Sequence, residues 1–323
     1  MKEIKISDIE NIKIANVQNI DAATGCTVIV CENGAPCGVF VPGGGPASRE
    51  TNLLNPTAAA EKIHAVLLTG GSAFGLDSAG GVMQYLEEND IGFDTGITKV
   101  PLVCASAIFD LGVGKSDIRP DKKMGYECAK AAFLENNYKD GNYGAGCGAT
   151  CGKLKGKDYM MKSGIGSFAV KIGDLKVGAI VCVNALGDIF DEQGNIIAGL
   201  LNNEKDGFEN SFDFMVKSIS PKENLFTSNT TIGAVITNAS FDKTKMNKIA
   251  MMAHNGYAKR INPINTTADG DSIYAMSVGN INADLNVVGT LSSFVVEKAI
   301  ENAVKSANSA YNLKSYNEMP VNK

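Results

Sequence analysis

The sequence contains no tryptophan and only two histidines among its 323 residues. A histidine-centred catalytic triad or a histidine-rich metal site is therefore hard to assemble. His64 opens an apolar run and His254 lies inside a helical pattern, so both read as structural. Aromatics make up 7% of the chain, too few to build a platform on which bases stack. The 30 basic residues are dispersed and the formal charge is −5, so nucleic-acid binding lacks its electrostatic footprint. No window reaches the roughly 18 uninterrupted apolar residues of a membrane-spanning helix. The opening stretch MKEIKISDIENIKIANV lacks the apolar centre and cleavage site of a signal peptide. There is no CxxC pair: Cys26, Cys31, Cys37, Cys104, Cys128, Cys147, Cys151 and Cys182 stand singly. Buried free thiols are the expected reading, and with them a cytoplasmic protein holding no metal and no cofactor.

Glycine, by contrast, is abundant, at 35 residues, and clustered. Phosphate-binding loops are the first thing such clusters bring to mind, and the spacing rejects them. A Walker loop ending at Gly114-Lys115-Ser116 needs its first glycine where Phe109 stands, and one ending at Gly152-Lys153 needs it at Cys147. Gly144, Gly146 and Gly148 lack the third glycine of a dinucleotide fingerprint. Gly71-Ser72-Ala73-Phe74-Gly75 misses the GxSxG nucleophile elbow by one position.

Hydrophobic periodicity alternates between strand and helix. HAVLLTG (64–70) reads as a buried strand, 72–89 as an amphipathic helix, 99–111 as a strand-like run and 122–137 as a second helix. From 164 the period becomes two, with a hairpin signal at Gly173-Asp174. The polar run 202–229 reads as a long exposed connection, of the kind that is usually functional or disordered. Strand 231–239, helix 243–261, strand 272–279 and a long helix over 285–308 complete the chain. The class is mixed α/β, with apolar strands sandwiched by amphipathic helices in one intertwined domain.

An amide-hydrolysing site in such a chain needs a base other than imidazole. An N-terminal threonine supplies one, because its α-amine accepts the hydroxyl proton and has an ordinary pKa of about 7.7–8.0. The segments PGGGPASRETNLLNP (42–56), LLTGGSAFGLDSAGGVMQYL (67–86), GAGCGATCGK (144–153), VNALGD (183–188), NTTIGAVITNA (229–239) and INPINTTADGDSIYA (261–275) point the same way. In that order they resemble the P1 family of peptidases: L-aminopeptidase/D-esterases, β-aminopeptidases and nylon-oligomer hydrolases. The resemblance implies a four-layer α/β/β/α sandwich and a homo-oligomer, a tetramer by family habit. It also implies self-cleavage between Asn229 and Thr230, giving residues 1–229 and 230–323 with Thr230 as the nucleophile.

Asp269 and Asp271 match the Asp-Gly-Asp of family members with a threonine nucleophile, where they orient it and balance its ammonium. At i and i+2 in extended chain the two carboxylates face one side, and Gly270 between them permits close backbone approach. Asn184 matches a family asparagine that donates to the oxyanion, and Lys153 a lysine near the nucleophile. Phe109 stands where several members carry a tyrosine hydroxyl, so it keeps the shape of the pocket and loses the donor. The implied activity is hydrolysis of small peptides or amides: N-terminal residues, β- or ω-amino amides, and esters. Two alternatives stay open. One is an acyltransferase of the ornithine acetyltransferase type, the other an unprocessed homologue without chemistry.

Overall fold

A computed structural model describes residues 1–217 and 229–320. Three large apolar clusters stack through the described residues, and three such cores require four layers. The middle core lies between two sheets. One sheet has six strands, in the order Lys2–Ile4, Ile165–Ile172, Leu175–Asn184, Thr230–Ala239, Ser272–Ile281 and Cys37–Phe40. The other has five, ordered Lys13–Asn19, Thr24–Ala35, Ile63–Thr69, Val103–Ala107 and Ser48–Arg49. Helices Lys243–Ala253 and Leu285–Lys305 close the outer face of the first sheet. Helices Ser78–Glu88 and Lys122–Leu134 close that of the second. The architecture is the α/β/β/α sandwich.

The layering explains why the central strands look apolar throughout. In Ile63–Thr69, Ile63, Val66 and Leu68 enter the middle core while Ala65 and Leu67 meet the helices. In Leu175–Asn184, Ile180 and Cys182 point inward while Val177, Ala179, Val181 and Val183 point out. Strands buried on both faces need no polar alternation. Asp121, Asp242 and Asp284 start three of the helices by accepting backbone N–H groups of the first turn.

Several boundaries differ from the periodicity reading. The strand-like run 99–111 divides into Lys99–Val100 and Val103–Ala107. Pro101 has no N–H to give a ladder, and the Leu102 N–H goes instead to Nδ1 of His64, 3.1 Å away. The helical run 72–89 divides into Ser72–Gly75 and Ser78–Glu88, and 243–261 divides at His254. The 202–229 connection is not wholly irregular, since Ser211–Lys217 is helical; its later part, 218–228, lies outside the described residues.

That helix is tied down at its first residue. Ser211 is buried, and its N–H and Oγ donate to the Asp188 carboxylate at 2.6 and 2.7 Å. Asp188 also accepts the Leu200 N–H at 2.8 Å, and burial raises its pKa to about 6. Asp188→Ala strands these buried donors at about 1–3 kcal/mol each. The expected loss is about 3 kcal/mol or more in chemical denaturation; stability within 1 kcal/mol of wild type would contradict the anchoring role.

The glycine run at 144–148 serves packing. Gly144 has φ +52°, and a Cβ there would lie 2.3 Å from Thr27 Oγ1. All eight cysteines are buried free thiols. Among the described residues no helix is long and apolar enough to cross a membrane, and no cluster of three or more His, Cys, Asp or Glu is arranged to hold a metal.

Candidate active site

The site forms at the start of the strand Thr230–Ala239, in the interior of the six-stranded sheet. Strand register does the assembling. On one side Thr230 is the antiparallel partner of Asn184. On the other, Ile232 pairs in parallel with Ser272, and three residues back on each side Asn229 bridges Asp269. Residues far apart in sequence thus become lateral neighbours.

Thr230 is 5% exposed, and its hydroxyl lies against the carbonyl oxygen of Asn229. The same oxygen accepts the Gly270 N–H at 3.0 Å. Gly270 is glycine for a steric reason, since a Cβ would stand 2.8 Å from Thr230 Oγ1 and 2.9 Å from the Gly45 carbonyl oxygen. The Asn229–Thr230 peptide is therefore buried, with its carbonyl held by a fixed donor and a hydroxyl beside it.

Asn184 is fully buried. Its Oδ1 accepts from the Thr150 N–H at 3.1 Å and from Lys153 Nζ at 2.7 Å. Its Nδ2 donates to the Phe109 carbonyl at 3.2 Å, and Lys153 Nζ also reaches the Asn184 carbonyl at 3.1 Å. These bonds fix which end of the amide faces which way. Burial pushes the Lys153 ammonium down to about 7, against the pull of Cys151, Asp269 and Asp110.

Asp271 is fully buried and accepts the Thr231 N–H on Oδ1 at 2.6 Å and the Asn265 N–H on Oδ2 at 3.0 Å. Burial first, and then the neighbouring Asp269, raise its pKa to about 7. Asp269 accepts both the N–H and the hydroxyl of Thr266, at 2.7 and 2.6 Å, and burial raises its pKa too. Both carboxylates lie just before the strand Ser272–Ile281, and the bonds described here run to loop and strand backbone. Lys153 acts on both and lowers them.

Thr230, Asn229, Asn184, Lys153, Phe109, Asp269 and Asp271 thus occupy one connected region. Phe109 lines a cavity of about 190 Å³ that Lys153 also borders. Larger grooves, of about 390 and 440 Å³, lie elsewhere on the surface and hold none of these residues. The chemistry, not the size, picks out the site.

Sequence reasoning gave no role to three features. Asp110 is 2% exposed, accepts the Gly71 N–H at 2.8 Å, and is raised by burial to about 6; its signal was an acid inside the apolar run Ala107–Leu111. Lys162 is fully buried and caps the backbone carbonyls of Gly146, Ala149 and Ser163, holding the loop behind Asn184. The Gly270 N–H carries no sequence signal, because a backbone donor belongs to every residue but proline.

The sandwich thus brings a buried hydroxyl, a paired carboxylate loop and an oriented amide into one region, a set of groups suited to amide-bond hydrolysis. Residues 5–316 match the profile of peptidase family S58, and the chain belongs to that family. An uncharacterized aminopeptidase of Mycobacterium leprae is 34% identical, with 86% of this chain and 79% of the relative covered. A 6-aminohexanoate-oligomer endohydrolase of an Agromyces species is 26% identical, with coverage of 94% and 87%. Among solved structures, a β-aminopeptidase of a Burkholderia species superposes with a TM-score of 0.66 at 18% identity, covering 94% of this chain and 86% of that one. The L-aminopeptidase D-Ala-esterase/amidase of Ochrobactrum anthropi, described as a variant of the Ntn-hydrolase fold, gives 0.65 at 16% identity, covering 96% and 90%.

Proposed function

We propose that the chain cleaves itself between Asn229 and Thr230 and that the freed threonine is the nucleophile of an aminopeptidase acting on small peptides or amides. One observation carries the reading: the Thr230 hydroxyl lies against the Asn229 carbonyl oxygen, which already accepts the Gly270 N–H. In processing, Thr230 Oγ attacks the Asn229 carbonyl carbon. The C–N bond breaks, the nitrogen takes the hydroxyl proton and becomes the free α-amine, and an ester joins Thr230 Oγ to Asn229; water then hydrolyses that ester, releasing the Asn229 carboxylate and restoring the Thr230 hydroxyl.

In turnover the α-amine takes the Thr230 hydroxyl proton as Oγ attacks the substrate carbonyl. The leaving amine is protonated, and water hydrolyses the acyl-enzyme. Asn184 is the oxyanion donor in this scheme, and Lys153 fixes its amide through Oδ1. Asp269 and Asp271 supply negative charge beside the new ammonium. The scheme needs no cofactor. The free buried thiols support a cytoplasmic setting, and assembly into homo-oligomers belongs to the same proposal.

Intact-mass measurement of the purified protein tests the reading, the expected products being Met1–Asn229 and Thr230–Lys323. A chain that remains whole after prolonged incubation would refute it. A pH profile tests the charge arrangement. Asp269 and Asp271 are raised, the latter to about 7, so acid removes their charge and the rate falls below neutrality. Lys153 holds both down, and a nearby cation also depresses an α-amine. Lys153→Met therefore moves the acid limb of kcat/KM to higher pH. An unchanged or lowered midpoint would contradict the arrangement.

A further inference from the structure

The cavity beside Phe109 has an uneven chemistry. Its apolar wall is Phe109, Val113 and Met160, its cations are Lys153 and Lys157, and no carboxylate lines it. Lys153 is engaged with Asn184 at the inner end. Lys157 sits in the short helical turn Lys157–Tyr159, is exposed, and has no hydrogen bond or ion pair among the described residues. Its neighbour Lys155, by contrast, is paired with Glu209 at 2.9 Å and bonded to Asn203. Gly112, which also lines the cavity, is exposed, and a Cβ there would meet nothing within 4 Å.

We infer that this pocket takes an apolar substrate flank ending in a carboxylate, and that Lys157 at its rim is the residue that recognises the carboxylate. The inference rests on the hydrolase reading and narrows its substrates to short amides with a free carboxylate. The geometry joins pocket and chemistry directly. The Phe109 carbonyl accepts the Asn184 amide, and Asn184 is the sheet partner of Thr230. In this inference a carbonyl bound at Thr230 has Phe109 at one flank. An ammonium-bearing flank would meet two lysines and no acid. A carboxylate finds attraction at the rim and an apolar wall for its stem.

Two experiments separate this inference from the hydrolase reading. Calorimetric titration of the Thr230→Ala chain with pentanoate and with pentanamide reads the pocket without catalysis. Pentanoate is expected to bind at least about fivefold tighter, the scale of one partly exposed charge pair. Lys157→Met removes that preference and Lys157→Glu reverses it, while pentanamide is unaffected by either. Gly112→Leu weakens both ligands by crowding the cavity. Equal binding of the two ligands, or a preference unchanged in Lys157→Glu, overturns the inference. With processed enzyme, kcat/KM for a dipeptide is compared with that for its C-terminal amide. The acid is preferred in wild type and not in Lys157→Met; a preference indifferent to Lys157 overturns the assignment. Failure to cut any amide would count against the hydrolase reading instead, and the titration would still decide the pocket.

Discussion

Thr230→Ala leaves the chain in one piece and lowers amide hydrolysis by about 10⁴-fold or more, the scale for deleting a covalent nucleophile. The substitution removes the hydroxyl that lies against the Asn229 carbonyl without disturbing the sheet, since the backbone pairing of Thr230 with Asn184 does not depend on the side chain. Thr230→Val is the sharper control, because it preserves the branched shape at a site 5% exposed and removes only the hydroxyl. Thr230→Ser keeps the hydroxyl and is expected to process and turn over. Mass spectrometry on the three variants, beside thermal melting to establish that each folds, gives the result. Cleavage between residues 229 and 230 in Thr230→Val would show that another group attacks. An intact Thr230→Ser chain would show that a hydroxyl at this position is not sufficient for the step.

How far this arrangement was legible in the sequence depends on the kind of interaction. Strands such as Ile63–Thr69 and Thr230–Ala239 were visible because burial on both faces demands unbroken apolar runs. The Leu285–Lys305 helix was visible through its spacing. Breaks at Pro101 and His254 were not, because they depend on where a neighbouring strand or loop takes up a backbone group. The side chains of the site were found through motif resemblance. Their juxtaposition could not be found from spacing, because it rests on the registers Asn184–Thr230 and Asn229–Asp269, which link distant segments. Expected geometry also shifted in detail. Asp269 and Asp271 were read as two carboxylates on one face of a strand; they precede the strand, and Asp271 binds the N–H of Thr231, one residue past the proposed nucleophile. Asp110 was passed over because a single acid in an apolar run has no spacing partner. Only packing shows it buried against Gly71, close enough to act on Lys153.

Gly270→Ala is expected to fold and yet remain uncut for at least about 100-fold longer than wild type, in the range set by losing one transition-state contact. The argument is steric. Gly270 does not use the left-handed backbone region, so alanine brings no conformational strain of its own. Its Cβ, however, would stand 2.8 Å from Thr230 Oγ1, and the nearest backbone atom, the Gly45 carbonyl oxygen, is only 2.9 Å away on another loop. Of these two neighbours the hydroxyl is the softer, because it can rotate about one bond while the Gly45 loop is fixed by hydrogen bonds to Thr266 and Asp269. Rotation carries Oγ1 away from the Asn229 carbonyl and breaks the contact from which attack starts, while the 270 N–H stays available to the oxyanion. The variant thus separates two contributions that Asn184→Ala or Thr230→Val would confound: the donor is retained and the nucleophile is displaced. Intact mass followed over days gives the processing rate, and circular dichroism shows whether the sheet has formed. Processing at the wild-type rate in a folded Gly270→Ala chain would mean that Thr230 attacks from a different rotamer, and the contact between Thr230 and Asn229 would lose its place in the mechanism.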